Sequence, residues 1–387
     1  MFAKQKKRRL KVFEAFAGIG AQTTALERLG IDFEVVGISD WFVDAIICYD
    51  AIHHEESENI PIPSREEKLR VLGRYTFSRD SVNPIIDLSR MDEEKLSDLY
   101  RAHIRSRNFG SIKDLQGMDM PDTDLFVYSF PCQDLSTAGN NYGMKKNSGT
   151  RSSLLWEIER ILMQLYKQDR LPQYLLLENV KTIKSKTNAS DLNQWLSFLE
   201  KIGYQNEDCM LLNACDFGIP QDRERAFIFS HLGNVSYNIA ERVELKKSRR
   251  EYDIRDFIKT DYRNPTYRME ADIAQLNGTP SRQHMWEING REVIDNQLIV
   301  RTITCNMDRT NTSALFRYDG PKGNTYRRLT IREAFLLMGF SEQEYQRTEY
   351  LNYSYRCMNK LIGNSIVVNV LEAIFSAIVE AEAEING

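Results

Sequence analysis

The sequence predicts an α/β protein built on a doubly wound, mostly parallel sheet, joined to a second, smaller and irregular lobe. Two observations carry this. Strand-like and helix-like runs alternate up to about residue 232, and the period is lost from about 233 to 325 before a helical pattern returns. The expected organisation is a first domain over 10–232, a second over 233–325, and a C-terminal segment, 326–387, that returns to the first. A chain of 387 residues is long enough to divide in this way, because single cores tend to split beyond ~250–300 residues.

From Lys11 the chain reads KVFEAFAGIGAQTTALERLG, a short apolar strand, a glycine-bearing turn and an amphipathic helix. FEVVGISD follows as a second strand ending at Asp40, completing a β-α-β opening. Further strand-like runs are DLFVYSFP (124–131), YLLLENV (174–180) and RAFIFSHL (225–232), separated by helical stretches such as SSLLWEIERILMQLY and LNQWLSFLEKIG. Residues 54–108 are polar and charged, with helix-like pieces such as MDEEKLSDLYRAHIRSR, and read as a solvated helical excursion on the surface. Beyond His231 the period weakens: residues 241–270 hold nine Lys/Arg against seven Asp/Glu among several tyrosines. From Arg327 helical periodicity resumes, and the chain closes on GNSIVVNVLEAIFSAIVEAEAEI, an amphipathic helix.

Apolar residues make up 42% and charged residues 27%, the profile of a folding globular chain. No apolar run approaches the ~18 residues that span a bilayer, and MFAKQKKRRLKVF lacks the apolar stretch and cleavage site of a secretory leader. A cytoplasmic setting, that of a bacterial cytoplasm or nucleoid, is expected. Six cysteines without a C-x-x-C pair and five histidines without ligand spacing favour neither a disulfide framework nor a metal site. The net charge of -4 means that any basic face for nucleic acid must be local.

The first strand-turn-helix carries Gly18-x-Gly20 but Ala21 and Gln22 where a full dinucleotide fingerprint would continue, so the motif alone shows only a close backbone approach at a helix start. Asp40, about 20 residues on, stands where an acid bonds ribose hydroxyls, and Trp41 offers an aromatic face to an adenine. An ordinary tight turn and a capping aspartate would explain either piece separately. SFPCQDLS is more telling: it places the Cys132 thiol at the carboxyl end of a strand, where ligand crevices of such sheets lie. Cys48, Cys209, Cys215, Cys305 and Cys357 read as small buried hydrophobes. Glu178-Asn179 ends another apolar run, and Arg223 and Arg225 alternate into a strand with their side chains on one face. A structural ion pair is the plain alternative for either arginine.

In chain order FEAFAGIGAQTTAL, SFPCQDLS, LLLENV, GIPQDRERAF, RRLTIREAFLLMGF and GNSIVVNVL resemble the ordered motifs of the cytosine-C5 DNA methyltransferase family. The unmatched stretch before the last two blocks lies where that family carries its variable target-recognition domain. The resemblance implies a Rossmann-like S-adenosylmethionine-dependent methyltransferase fold. It also implies methyl transfer to C5 of a cytosine flipped out of a short duplex site, through a bond from Cys132 to C6. Glu178 would serve N3 and the exocyclic amine, Arg225 would hold O2, and Asn179 and Arg223 would shape the site. Phe16, Gly18, Ile19, Gly20, Asp40, Trp41, Ile112, Pro131, Leu154, Asn364 and Ser365 would bind the cofactor, with no metal. Residues 132–151 would form a mobile loop over the base, and 233–325 would read sequence, with KKSRR and TITCNMDRTNTSAL as candidate contacts. Two departures stand out: Ser111 replaces an acid that in the family contacts adenine, and Asp222 stands where a basic residue is common.

The resemblance further implies double-stranded DNA as partner and monomeric action, in a restriction-modification setting with a cognate endonuclease or as a solitary or phage methylase. The recognition sequence stays open, CpG included, since the CpG-type likeness of SSLLWEIER lies in a stretch that does not read bases. A tRNA cytosine-C5 methyltransferase of the same family is the nearest alternative, but those enzymes usually carry Cys-Phe-Thr in place of Cys132-Gln133-Asp134. A Rossmann-type dehydrogenase would leave Cys132, Glu178 and Arg225 unexplained. A catalytically silent DNA-binding relative would be expected to lack one of those three.

Overall fold

A seven-stranded sheet organises the computed structural model, which describes residues 9–54, 60–131, 135, 144, 146, 151–247, 253–282, 284, 299–307, 314–322 and 326–386. The chain enters through β1 (Leu10–Ala15), α1 (Ala21–Arg28), β2 (Phe33–Ser39) and α2 (Val43–His53). After α3 (Arg65–Leu72) and α4 (Glu93–Arg105) come β3 (Leu125–Tyr128), α5 (Leu155–Tyr166), β4 (Tyr174–Val180) and α6 (Ala189–Lys201). The short strands β5 (Tyr204–Asn206), β6 (Met210–Asn213) and β7 (Gln221–Asp222) lead into β8 (Glu224–Leu232). The sheet order is β2-β1-β3-β4-β8-β5, with β6 also on β8. Strands β2, β1, β3 and β4 pair in parallel, and β8 runs against β4 and against both β5 and β6.

The alternation of side chains along the strands explains why helices cover both faces. Val12, Leu125, Val127, Leu176, Phe227 and Phe229 point to one face, which packs with α1, α2 and the C-terminal helix Val368–Asn386. Phe13, Ala15, Phe126, Tyr128, Leu175, Leu177, Ala226 and Ile228 point to the other, against Ile158, Ile161 and Leu162 of α5 and Trp195 and Leu199 of α6. The two neighbours of β1 are reached by connections in opposite directions. A crevice therefore opens at the carboxyl ends of β1 and β3, the usual place for a ligand in such sheets.

Residues 60–108 depart from the solvated excursion expected of them. Leu72, Phe77, Met91, Leu96, Leu99 and Ala102 form a small core with Val43, Ile46 and Ile47 of α2, so α3 and α4 bury one face each against the first domain. Most of their charges lie on the outer faces, which is what a composition average sees, while the side chains of Lys68 and Arg105 are buried in pairs with Glu93 and Asp50. A second departure concerns the C-terminus. A stretch within Tyr355–Ile385 is long and apolar enough to cross a membrane, yet most of it is buried inside the protein, the position of a core helix. Of the five cysteines expected to be buried, Cys48 is, whereas Cys209, Cys215, Cys305 and Cys357 are partly exposed. Polar contacts hold two of them: the Cys357 thiol lies 3.2 Å from Asp44 Oδ2, and the Cys215 thiol 3.1 Å from the Gln221 carbonyl.

After β8 come α7 (Ile239–Leu245), which packs on the C-terminal helix, and α8 (Pro265–Ala274). Two further short strands, Val300–Arg301 and Phe316–Arg317, pair with β7 and with Tyr326–Arg327. Where this region meets the helix Ile331–Leu337, Arg327 and Glu333 form a fully buried two-pronged ion pair, 2.8 Å at each contact. Glu333 also accepts from the backbone N–H groups of Lys259 and Thr330, both at 2.8 Å. Glu333→Gln preserves the helix cap but leaves the Arg327 charge uncompensated, and such a loss costs about 3–5 kcal/mol. Urea unfolding is expected to show that loss, largely recovered in the double variant Arg327→Met/Glu333→Gln, which removes the charge and keeps an acceptor for the helix cap. A single variant as stable as wild type would contradict the pairing.

A second buried group lies in the sheet itself. Glu14 on β1 accepts from the Thr23 hydroxyl at 2.7 Å, and Thr23 meets the Tyr49 hydroxyl at 2.9 Å, so one network joins β1, α1 and α2. Burial pushes the Glu14 carboxyl up to about 7. The folded protein thus holds this proton more tightly than the unfolded chain, and ionisation penalises folding progressively between about pH 4.5 and 7. Glu14→Gln is expected to be about 3 kcal/mol more stable than wild type at pH 8 and equal to it near pH 4. A difference independent of pH, measured by thermal unfolding, would contradict a neutral Glu14.

Candidate active site

The turn between β1 and α1 is built on three left-handed residues, Phe16 (φ 58°), Gly18 (φ 59°) and Gly20 (φ 79°). The two glycines serve different ends. A Cβ on Gly20 would lie 2.2 Å from His53 Nε2, so Gly20 is required where α1 packs on α2. A Cβ on Gly18 would meet nothing within 4 Å; there the backbone angle is the constraint, and the space beside it belongs to a cleft. Gly18 donates its N–H to Asp40 Oδ2 at 2.9 Å, and Asp40 Oδ1 accepts from Phe42 N at 2.8 Å. Burial raises the Asp40 carboxyl to about 6, against the pull of these backbone donors. The turn after β1 and the end of β2 are thereby locked together.

The cleft, counted with the open solvent at its mouth, spans about 1110 Å³ and crosses the carboxyl edge of the sheet. At its β2 end lie Asp40, Trp41, Phe42 and Ser81; in the middle are Phe16, Gly18, Gln22 and the Ser129–Pro131 exit of β3. At the far end lie Glu178, Asn179, Arg223 and Arg225, and the Gly363–Ile366 segment closes the wall. Four strand spacings of about 4.8 Å separate β2 from β8, so the two ends stand about 19 Å apart.

Glu178 is brought beside Arg225 by the antiparallel register that sets Val180 opposite Arg225 and Glu178 opposite Phe227. Arg225 Nε lies 3.6 Å from Glu178 Oε1, and the other carboxylate oxygen accepts from the Ser129 hydroxyl. Asn179, buried, donates from Nδ2 to the Phe130 carbonyl at 3.0 Å, and Ser152 donates to the Pro131 carbonyl at 2.8 Å. Both peptides that lead to Cys132 are therefore held. Cys132 itself lies outside the described residues, as does most of the 132–151 segment. The Arg223 guanidinium donates to the carbonyls of Ile303 (2.7 Å), Gly363 (3.1 Å) and Ser365 (2.7 Å). Glu224 faces the other way and meets Lys181 at 3.1 Å.

Of the residues singled out in the sequence, Phe16, Gly18, Asp40, Trp41, Pro131, Glu178, Asn179, Arg223, Arg225, Asn364 and Ser365 line this one cleft. Ile19, Gly20, Ile112 and Leu154 do not. Ile19 is buried in the core below the turn, Gly20 packs on His53, and Ile112 and Leu154 belong to the apolar cluster between β3 and α5. Ser111 is held in a turn, its carbonyl accepting from Asp114 N at 2.9 Å. Asp222 accepts from Asn213 at 2.8 Å on the surface. Sequence reasoning missed Gln22, Phe42, Ser81 and Ser129 as lining residues. Ser129 was legible in principle, since it is two residues beyond Pro131 counted back along the same strand exit; Ser81 carried no local signal.

A model of C-5 cytosine-specific DNA methylase matches residues 73–380. The chain is 37% identical to the orphan methyltransferase M.SssI of Spiroplasma monobiae, over 96% of this chain and 98% of that one. It is 34% identical to the type II methyltransferase M2.ScrFI of Lactococcus lactis subsp. cremoris, over 96% and 100%. Among solved structures, the S. pombe Dnmt2 methyltransferase superposes with a TM-score of 0.64 at 20% identity, over 96% of this chain and 99% of that one, a likeness of fold. The family match covers the elements that build the cleft from β3 onward, and the near-full-length relatives cover the rest: the chain belongs to the C-5 cytosine-specific DNA methylase family, whose members methylate C5 of cytosine in DNA.

Proposed function

We propose that the cleft takes S-adenosylmethionine at its β2 end and a cytosine flipped out of duplex DNA at its β4–β8 end, with Cys132 as the nucleophile. The observation that supports this most is the Glu178–Arg225 pair at the foot of the cleft, beside two peptides fixed just ahead of Cys132. The residues at the other end suit the cofactor: Trp41 offers a face to the adenine, Asp40 a carboxylate to the ribose, and the start of α1 its free N–H groups to a carboxylate. Phe16, Gly18, Pro131, Asn364 and Ser365 line the path between. S-adenosylmethionine supplies an electrophilic methyl group carried on a sulfonium.

The chemistry assigns one task to each group. C5 of cytosine is a weak nucleophile, and addition of the Cys132 thiolate to C6 moves electron density onto it. Negative charge then builds on the ring, which Glu178 relieves by giving a proton to N3 while accepting from the exocyclic amine. Arg225 donates to O2 and keeps Glu178 in place. After C5 has gained the methyl group, a base removes its proton, the ring electrons return, and the thiolate leaves C6 by β-elimination. Asn179 and Arg223 are positioning residues: one fixes the exit of β3, the other the wall of the cleft. Residues 233–325 would supply base contacts, and the protein would act as a monomer on double-stranded DNA, alone or beside an endonuclease for the same site.

The tRNA reading is less well supported, since the near-full-length relatives carry names of type II and orphan methyltransferases. The mechanism is tested by duplex DNA carrying 5-fluorocytosine at the target. Fluorine cannot leave C5 as a proton does, so wild type with cofactor is expected to form a denaturation-resistant adduct, and Cys132→Ala to form none while still binding DNA. Methylation by Cys132→Ala at the wild-type rate, or no trapping by wild type, would overturn the covalent route.

A further inference from the structure

The loop from Ser78 to Pro84 belongs to none of the motifs that mark the family resemblance, yet the structure fastens it to the cofactor end of the cleft. Ser78 donates its N–H to the Trp41 carbonyl at 2.7 Å, and Val43 N donates back to the Ser78 carbonyl at 3.0 Å. On the other side, Lys360 donates to the Asp80 carbonyl and lies 4.7 Å from the Phe42 ring centroid. Lys360 sits on the helix Tyr355–Gly363, immediately before Asn364 and Ser365. The loop therefore joins two parts of the cleft wall that are more than 300 residues apart in the chain.

Within the loop Asp80 acts as a hub. Its Oδ1 accepts from Val82 N at 2.8 Å, Asn83 N at 2.7 Å and the Ser78 hydroxyl at 3.0 Å, and its Oδ2 accepts from Asn83 Nδ2 at 2.9 Å. This arrangement holds Ser81 at φ 58°, a left-handed conformation that costs a residue with a Cβ about 1 kcal/mol. Ser81 lines the cleft beside Trp41 and Phe42, and among the described residues its hydroxyl has no hydrogen-bond partner. A strained, polar, unpartnered side chain held over a cleft is a natural ligand contact.

We propose that the Ser78–Pro84 loop is part of the cofactor site, and that the Ser81 hydroxyl hydrogen-bonds the nucleoside portion of the methyl donor. The proposal rests on the reading of the β2 end of the cleft as the cofactor end. Residues 60–108 are then more than a surface elaboration: they contribute a wall to the binding site and tie it, through Lys360, to the segment that closes the cleft.

Calorimetric titration of the full-length protein with S-adenosylhomocysteine and with adenosine tests it without recourse to activity. Ser81→Gly suits the test, because glycine adopts the left-handed turn freely and only the hydroxymethyl group is lost. Wild type is expected to bind both ligands, Ser81→Gly to bind each about 3- to 10-fold more weakly, as for one neutral hydrogen bond, and Val82→Ser, altered at an exposed neighbour, to bind as wild type does. Equal affinity of wild type and Ser81→Gly would overturn the proposal, as would an equal loss in Val82→Ser. Weakening toward S-adenosylhomocysteine with adenosine unaffected would put the contact on the amino-acid arm and overturn it too. A wild type that binds neither ligand would remove the cofactor reading of the cleft, and this proposal with it.

Discussion

A buried guanidinium holds together three stretches of chain that are far apart in sequence. Arg223, 3% exposed, enters just ahead of β8 and donates to carbonyls at Ile303, Gly363 and Ser365. Gln221 works beside it, giving Nε2 to the Leu337 carbonyl at 2.7 Å and receiving Ile303 N on Oε1 at 2.9 Å. The backbones approach so closely that a Cβ on Gly363 would lie 2.4 Å from Cys305 N. Charged hydrogen bonds to buried carbonyls are worth roughly 1.5–3 kcal/mol each, and no smaller side chain spans all three. The sheet, the 299–305 segment and the closing segment of the cleft are thereby one unit.

That construction bears on the proposed function. If residues 233–325 read the duplex, the same guanidinium links them to the Gly363–Ile366 wall by its bonds to Ile303, Gly363 and Ser365. At the opposite end, Asn179 ties the β4 exit to the peptide ahead of Cys132. In the proposed function the order β2-β1-β3-β4-β8 would set these tasks in a row: nucleoside contacts at one edge, methyl transfer in the middle, base contacts at the other. Sheet order rather than any single motif determines which residues can act together.

Sequence patterns revealed what is local. YLLLENV is β4 residue for residue, RAFIFSHL is β8 less its first residue, and the helices after SFPCQDLS and LLLENV lie where the periodicity puts them. Motif residues at strand ends converge on one cleft because the ends of parallel strands are neighbours by construction. The exceptions have tertiary causes. Ile112 and Leu154 are apolar residues beside the site and were absorbed by the core between β3 and α5. The polar average of residues 54–108 concealed narrow apolar stripes that find a partner in α2. Ser81 is placed by its loop neighbours, through the bonds of Ser78 to Trp41 and of Asp80 to Lys360, which only the folded chain brings together and no window of sequence contains.

Everything proposed for the cleft turns on its methylating cytosine in duplex DNA. Transfer of tritiated methyl from S-adenosylmethionine to mixed-sequence duplex DNA and, in parallel, to tRNA, followed by bisulfite sequencing of the labelled DNA, examines it most directly. Label is expected on DNA, confined to cytosines in one short recurring site. Label on tRNA alone, or on neither, would contradict it.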